Sequence, residues 1–281
     1  MNILVAGAFG HLGNDLVRIA LKNGHSVLAM GREIREIEGV PSENYTAVQA
    51  DIVDSHALKG ICNGIDVVID AIGLTHYSKT ENSDDVDFNG NKNLLQEAKR
   101  SNVKKFVYIS ILNAAPNKKV PLVNSKFLFE EELKKSHLDY LVVRPSGYFY
   151  DIANVFVSMI QKGTISLLGK KTVRTNPIST EDLAAFILEH LEESRKILNV
   201  GGKETYSYEE IARIFLVSSH QTVLVKHTPI FVYNSRIFSN KISHSGKSDI
   251  FKFSKWTLTH DMVSDSCYGD KSFKEYIDSL Y

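Results

Sequence analysis

Short runs of apolar, largely β-branched residues alternate with segments of helical periodicity through the first half of the chain, and this rhythm limits the fold more than any other feature. The runs are NILVAG, HSVLAMG, YTAVQAD, DVVIDAIG, KKFVYIS and YLVVRP. Each is too uniformly apolar to leave one face in water, which is how strands buried on both sides read. Between them, Leu12, Leu16, Ile19 and Ala20 fall at i, i+4, i+7 and i+8 and define one stripe of a helix. Gly24 then supplies a left-handed stop. Ser55 is placed to cap a short helix running to Gly60. Residues 84–101 read as one long helix burying Val86, Leu94, Leu95 and Ala98, and residues 125–135 as another, acidic first and basic last, in the order the helix dipole favours. Strand, helix, strand, repeated, requires crossovers and a parallel sheet covered on both faces. The expectation is a doubly wound α/β domain over residues 1–150.

After Pro145 the rhythm changes. Aromatic residues crowd together at Tyr148, Phe149, Tyr150 and Phe156, and later segments mix short helices with basic and aromatic stretches. Ser179 with Asp182, and Ser207 with Glu210, have the spacing of helix-start capping boxes. Residues 151–281 read as a smaller α/β substrate lobe packed on the first domain, possible to interleave with it as one unit.

Where the first strand meets the first helix the chain reads LVAGAFGHLG, with Gly7, Gly10 and Gly13 in GxxGxxG spacing. A sharp turn, close approach of a pyrophosphate to bare backbone, and tight packing of helix on strand all ask for glycine there, and the helix start offers N–H groups and a positive dipole end. The loop Gly7, Ala8, Phe9, Gly10, His11, Leu12 and Gly13 is therefore the candidate dinucleotide cradle; the alternative is a tight turn without a ligand. A carboxylate at the end of the second strand would bind the ribose 2′-hydroxyl of NAD. This chain reads Met30-Gly31-Arg32, with Arg35 close behind. A guanidinium suits a 2′-phosphate, so NADP is expected over NAD, against the plainer reading of Arg32 as a solvated arginine. Asp51 ends the third strand, followed by Ile52, and is placed either by the adenine or as a turn residue. Ala71, Ile72 and Gly73 end the fourth strand, where small residues let a cofactor lie on backbone or simply pack.

Composition narrows the class further. The 281 residues carry 33 basic and 33 acidic side chains, and this zero net charge argues against non-specific nucleic-acid binding. Two distant cysteines, Cys62 and Cys267, without CxxC spacing predict free thiols in a reducing compartment. The start MNILVAG lacks the pattern of a secretory leader, and no apolar run reaches membrane-spanning length, so a cytoplasmic protein with no membrane partner is expected. The histidines, His25 and His56 among them, have no metal-ligand spacing, and no metal is expected.

The stretches VAGAFGHLG, QADIVD, IDAIG, DFNGNKNLLQEAKRSNVKKFVYIS, NSKFLFEEELKKSHLDYLVVRPSGYF and ISTEDLAAFI together resemble the short-chain dehydrogenase/reductase superfamily, more narrowly its atypical NAD(P)-binding branch with NmrA-like and isoflavone-reductase-like proteins. The resemblance covers residues 1–200, extends into NVGGKETYSYEEIARI, and is loose over the last 60 residues. It implies a Rossmann-type sheet and roles at matching positions: Asn89 in the helix supporting the active site, Ser110 at the end of the fifth strand facing the nicotinamide, Lys126 on the nicotinamide ribose, and Pro145 beside the carboxamide. One departure matters most. The superfamily's catalytic tyrosine stands four residues before the lysine, and here that position is Leu122, which cannot donate a proton.

Substitute donors are Tyr77 and His76 after the fourth strand, on the rim where open α/β sheets bind ligands, with a solvated loop as the plainer reading. Tyr148 and Phe149 are candidates for the substrate side, against a simple packing cluster. Two functions follow. The first is an NADP-dependent reductase of a small apolar or aromatic acceptor such as a quinone or enone. The second is a non-catalytic NADP(H) sensor acting through a protein partner; a third, weaker reading is an assembly or RNA-associated factor in which the cofactor is structural, with the neutral charge giving no support to RNA contact. A monomer or homodimer is expected in either case.

Overall fold

A computed structural model describes residues 1–40, 43–74, 80–168, 172–230 and 246–281. Seven parallel strands form the central sheet in the order β3-β2-β1-β4-β5-β6-β9. They are β1 (Asn2–Ala6), β2 (Ser26–Gly31), β3 (Tyr45–Gln49), β4 (Val67–Asp70), β5 (Lys105–Ile109), β6 (Asp139–Pro145) and β9 (Lys196–Val200). The six apolar runs of the sequence are the first six of these strands.

Alternation along each strand feeds two cores. Val5, Val27, Ile69, Val107 and Leu141 point to the face covered by helices α1 (His11–Lys22) and α5 (Thr180–Glu189). Leu4, Val68, Phe106 and Val142 point to the face covered by α2 (Asn91–Arg100) and α3 (Pro121–Lys135). Both faces are dry, which is why these runs carry no polar alternation. On α1 the expected stripe of Leu12, Leu16 and Ala20 is buried, with Ile19 half-buried beside it. Gly24 follows with a φ of +81°.

The sheet does not end with residue 150. Strand β9 pairs with β6, and α5 packs on α1, so the later sequence completes both the sheet edge and one covering layer. The rest of it forms a third core around α4 (Phe149–Gln161), α6 (Tyr208–Ser218) and the last helix, Phe273–Asp278, where Phe156 stacks on Phe215 at 5.1 Å. Strand β7 (Thr164–Leu168) pairs in parallel with β11 (Leu224–Thr228), and β8 (Arg174–Thr175) antiparallel with β10 (Tyr206–Ser207). Ser179 and Ser207 cap α5 and α6 as their spacing predicts, Ser207 with a full capping box.

Three helix expectations are corrected. Ser55 starts no helix: residues 54–64 run as successive tight turns closed by three-residue hydrogen bonds of 3.1 to 3.3 Å, and Gly60 takes a φ of +82° that a helix cannot include. The helix expected over 84–101 is wound in its first part as a π-helix, Asp84–Gly90, before α2. Its start is held by a reciprocal cap in which Asn82 Oδ1 accepts from the Asp84 and Asp85 N–H groups and the Asn82 N–H donates to Asp85 Oδ2. Helix α3 begins four residues before the expected Ser125, with Pro121 at its first turn, where a missing N–H costs nothing. No helix among the described residues is long and apolar enough to cross a membrane.

Candidate active site

At the end of β1, Gly7 turns the chain with a φ of +82°, and the N–H groups of Gly7 and Ala8 both donate to the Met30 carbonyl, at 2.9 and 3.0 Å. Gly10 then precedes α1, whose first helical hydrogen bond runs from Asn14 N–H to the Gly10 carbonyl at 2.9 Å. Among the described residues no side chain caps this helix start. A Cβ on Gly13 would lie 2.0 Å from the Gly7 carbonyl oxygen, so only glycine lets α1 press against the loop. Gly10 is the opposite case: it is exposed, and a Cβ there would meet only the Gly7 oxygen at 3.4 Å. The loop is thus closed behind and open in front, with uncapped backbone donors facing the opening. That is the shape a pyrophosphate needs, and the residues fit the dinucleotide. Leu12 is buried, His11 exposed, and Phe9 half-buried against Gly31.

The rest of the expected cofactor track follows the strand ends. The exposed Arg32 lies just after β2, and its guanidinium pairs with the Glu81 carboxylate at 3.1 Å. The carboxylate paired with this arginine is not the adjacent Glu33 but one that the fold brings from 49 positions downstream. Arg35 pairs with Glu33. Asp51 Oδ1 accepts from the Val53 N–H at 3.0 Å, an Asx turn, and Ile52 is buried against Gly90. The Ala71 N–H donates to the Ala6 carbonyl, and the Ile72 N–H to Asp70 Oδ1.

Gly73 lies over the most unusual charge cluster in the molecule. A Cβ on it would stand 3.1 Å from both Lys126 Nζ and Asp87 Oδ1, themselves paired at 3.1 Å. Lys126 also donates to the Ile109 carbonyl at 3.3 Å and sits 5.3 Å from the centre of the Tyr108 ring. Asp87 is fully buried, as is Asp70 at the end of β4. Burial lifts both carboxyls, with Lys126 opposing, and carries Asp70 to about 7. Asp70 Oδ2 has no hydrogen-bond partner among the described residues. One ammonium is therefore paired with Asp87 and lies within electrostatic reach of Asp70, and burial favours the protonated form of both carboxyls. Leu122, one turn before Lys126, is packed in the second core. Asn89 is exposed, whereas Asp87 and Asn91 on either side of it are buried.

Ser110 is buried and donates to Glu130 Oε1 at 2.5 Å, within an ion pair that Glu130 makes with Arg144. Its hydroxyl faces this pair instead of an open cleft. The Pro145 carbonyl accepts from the Leu112 N–H at 3.0 Å. Phe149, expected on the substrate side, is packed at 4.9 Å against Phe273 in the third core, because it falls on the inward face of α4. Tyr148 stacks on Tyr150 at 5.4 Å, and Tyr150 on His11 at 4.2 Å, so an aromatic array reaches from α4 to the glycine loop. Asp151 follows in the first turn of α4; it keeps solvent contact yet is crowded by protein, which lifts its carboxyl to about 6. Residues 76 and 77, His76 and Tyr77, lie outside the described residues. No group of acidic, histidine or cysteine side chains able to hold a metal occurs among the described residues.

Comparison with known proteins agrees with this geometry. The family model described as NAD(P)H-binding matches residues 7–194. The chain is 29% identical over 234 residues to a photosystem II assembly factor, Ycf39, of Guillardia theta, covering 82% of this chain and 74% of that protein. It is 29% identical over 225 residues to the chloroplastic divinyl chlorophyllide a 8-vinyl-reductase of Arabidopsis thaliana, covering 72% of this chain and 53% of the relative. Among solved structures, an NADPH-dependent quinone oxidoreductase of Escherichia coli in complex with NADPH superimposes with a TM-score of 0.79 at 17% identity, covering 100% of this chain and 99% of that one, a likeness of fold. With its Rossmann-type sheet and glycine loop, the chain belongs to the NAD(P)H-binding family.

Proposed function

We propose that the protein is an NADP-dependent reductase of a small planar acceptor, a quinone or an activated alkene. The observation that carries this reading is the aromatic array Tyr148–Tyr150–His11, half-open and continuous with the glycine loop. Flat apolar molecules stack on such faces. The bound dinucleotide supplies the hydride. The chain's own part is to hold and to balance charge. Backbone donors at the start of α1 seat the pyrophosphate, and Arg32 receives the 2′-phosphate. Lys126, kept in one place by Asp87, provides a fixed positive charge at the strand ends where negative charge on the acceptor oxygen develops. With Leu122 in the tyrosine position, Asp151, which acts electrostatically on Tyr148 and Tyr150 and whose carboxyl is pushed up from the usual range, is the candidate acid. Acceptors that need little acid help suit such a site.

A second reading, a cofactor-dependent sensor or assembly protein, is favoured by a specific observation. The Lys126 ammonium is already engaged by Asp87 and the Ile109 carbonyl, and no proton donor stands one turn before it. One experiment separates the two. NADPH oxidation is followed at 340 nm, on the order of the cofactor's usual absorbance maximum, across a panel of quinones and enones. The reductase predicts turnover that falls at least about tenfold in Lys126→Ala while NADPH affinity falls much less. If NADPH raises the melting temperature but no acceptor is reduced, the sensor reading stands.

A further inference from the structure

The 2′-phosphate seat contains a competitor. We propose that Glu81 sets the choice between the phosphorylated and unphosphorylated dinucleotides by contending for Arg32. This rests on the reading of Arg32 as the 2′-phosphate ligand.

The two members of the pair are held differently. The Arg32 side chain is 63% exposed and that of Glu81 only 21%. Arg32 belongs to the turn that follows β2 and reaches outward. Glu81 is tied to a fixed helix start: Asn82 and Asp85 cap one another, and the Ser83 N–H donates to buried Asp249 of the helix Gly246–Thr257 at 3.0 Å. The arginine can swing, whereas the carboxylate stays with its anchored backbone. A phosphate arriving at Arg32 therefore either draws the guanidinium away from Glu81 or binds beside a like charge.

A ribose hydroxyl meets the opposite situation. It donates a hydrogen bond, and a carboxylate is the acceptor that recognises it. The seat thus holds a cation suited to NADP and an acceptor suited to NAD, joined to each other while neither ligand is bound. The neighbouring pair of Arg35 and Glu33 is strongly exposed on both sides and so is weak and salt-screened. Preference for NADP follows as a small surplus, and Glu81 is the residue that keeps it small.

The test is calorimetric binding of NADPH and NADH to the full chain, at low and at physiological salt, for the unaltered protein, Glu81→Gln, Arg32→Ala and the double variant. Glu81→Gln is expected to tighten NADPH by about two- to fivefold, the span that loss of an exposed ion pair allows, and to weaken NADH or leave it unchanged. Arg32→Ala is expected to lower the NADPH-to-NADH affinity ratio, and Glu81→Gln added to it to bring no further gain in NADPH. If Arg32→Ala lowers the ratio but Glu81→Gln does not raise it, Glu81 is no competitor and the proposal falls. A gain from Glu81→Gln that persists in the Arg32→Ala background also overturns it, since Glu81 then acts without the arginine. If Arg32→Ala leaves the ratio unchanged, the underlying 2′-phosphate reading is what fails.

Discussion

The glycine loop and the Lys126 cluster sit at neighbouring strand ends of one sheet, yet they are built on opposite principles. In the loop, side chains are absent where it matters: Gly13 is excluded from bearing a Cβ by a 2.0 Å approach, Gly10 leaves the front open, and recognition falls to backbone N–H groups. In the cluster, recognition falls to side chains from three elements: the Lys126 ammonium pairs with buried Asp87, and buried Asp70 lies within electrostatic reach of both. A backbone device is local and tolerates no added atoms. A side-chain device is assembled from afar and tolerates no lost charge. The two should therefore fail in different ways.

The largest effect is expected in the cluster. Asp87→Ala strands the Lys126 ammonium, with only 11% of its side chain exposed, opposite a lone carboxyl, and the cost should be about 3–5 kcal/mol in denaturant unfolding. A cost below about 1 kcal/mol would mean that Lys126 swings out to water and that the cluster is no fixed device.

Asp70→Asn should act in the opposite direction. Burial raises the Asp70 carboxyl to about 7 in the folded protein, against about 3.9 when unfolded, so folding must hold a proton that the unfolded chain releases. Stability from this group is present below the unfolded value and falls as pH rises from about 4 to 7. The amide, neutral throughout, should remove that slope and stabilise the protein at pH 8 by up to about 4 kcal/mol at 1.36 kcal/mol per unit. Unfolding curves for both proteins between pH 5 and pH 8, run at roughly equal ionic strength, would show it. A slope unchanged by the substitution would place the retained proton elsewhere.

In the loop, Gly13→Ala should cost roughly 3 kcal/mol in denaturant unfolding through overpacking of backbone on backbone and should weaken NADPH binding with it. The smallest effect belongs to a residue outside both devices. Ser207→Ala removes the capping box of α6 and should lower stability by about 1 kcal/mol with NADPH affinity unchanged.

How much of this could be read from residue order follows the same division. Strands buried on both faces announce themselves as apolar runs, and a strand-to-helix glycine turn is a contiguous motif, so the sheet and the loop were both legible. Strand β9 was not, because its residues KILNV lie at a sheet edge with only Val200 fully buried and form no uniform apolar run. The cluster was read only in part. Lys126 and the missing acid at Leu122 stood out by spacing, but Asp87 lies in a run of acidic residues, of which Asp84 is exposed, and only the winding of the π-helix turns Asp87 inward. Asn89 lies in that same helix, but its exposed position could not be read from residue order. Glu81 was invisible from Arg32, since only the fold brings the two together. The Ser179 and Ser207 caps, set by three-residue spacing, were fully legible.

The central claim is that the dinucleotide rests on the open front of the glycine loop, and Gly10→Ala tests it most directly. The added methyl meets only one atom at 3.4 Å, so the folded protein should accept it with a change in melting temperature of about 2–4 °C or less. It occupies the seat of the pyrophosphate, so calorimetry should show NADPH binding weakened by about tenfold or more, near 1.4 kcal/mol. A variant that folds as well and binds NADPH as tightly as the unaltered chain would contradict the account.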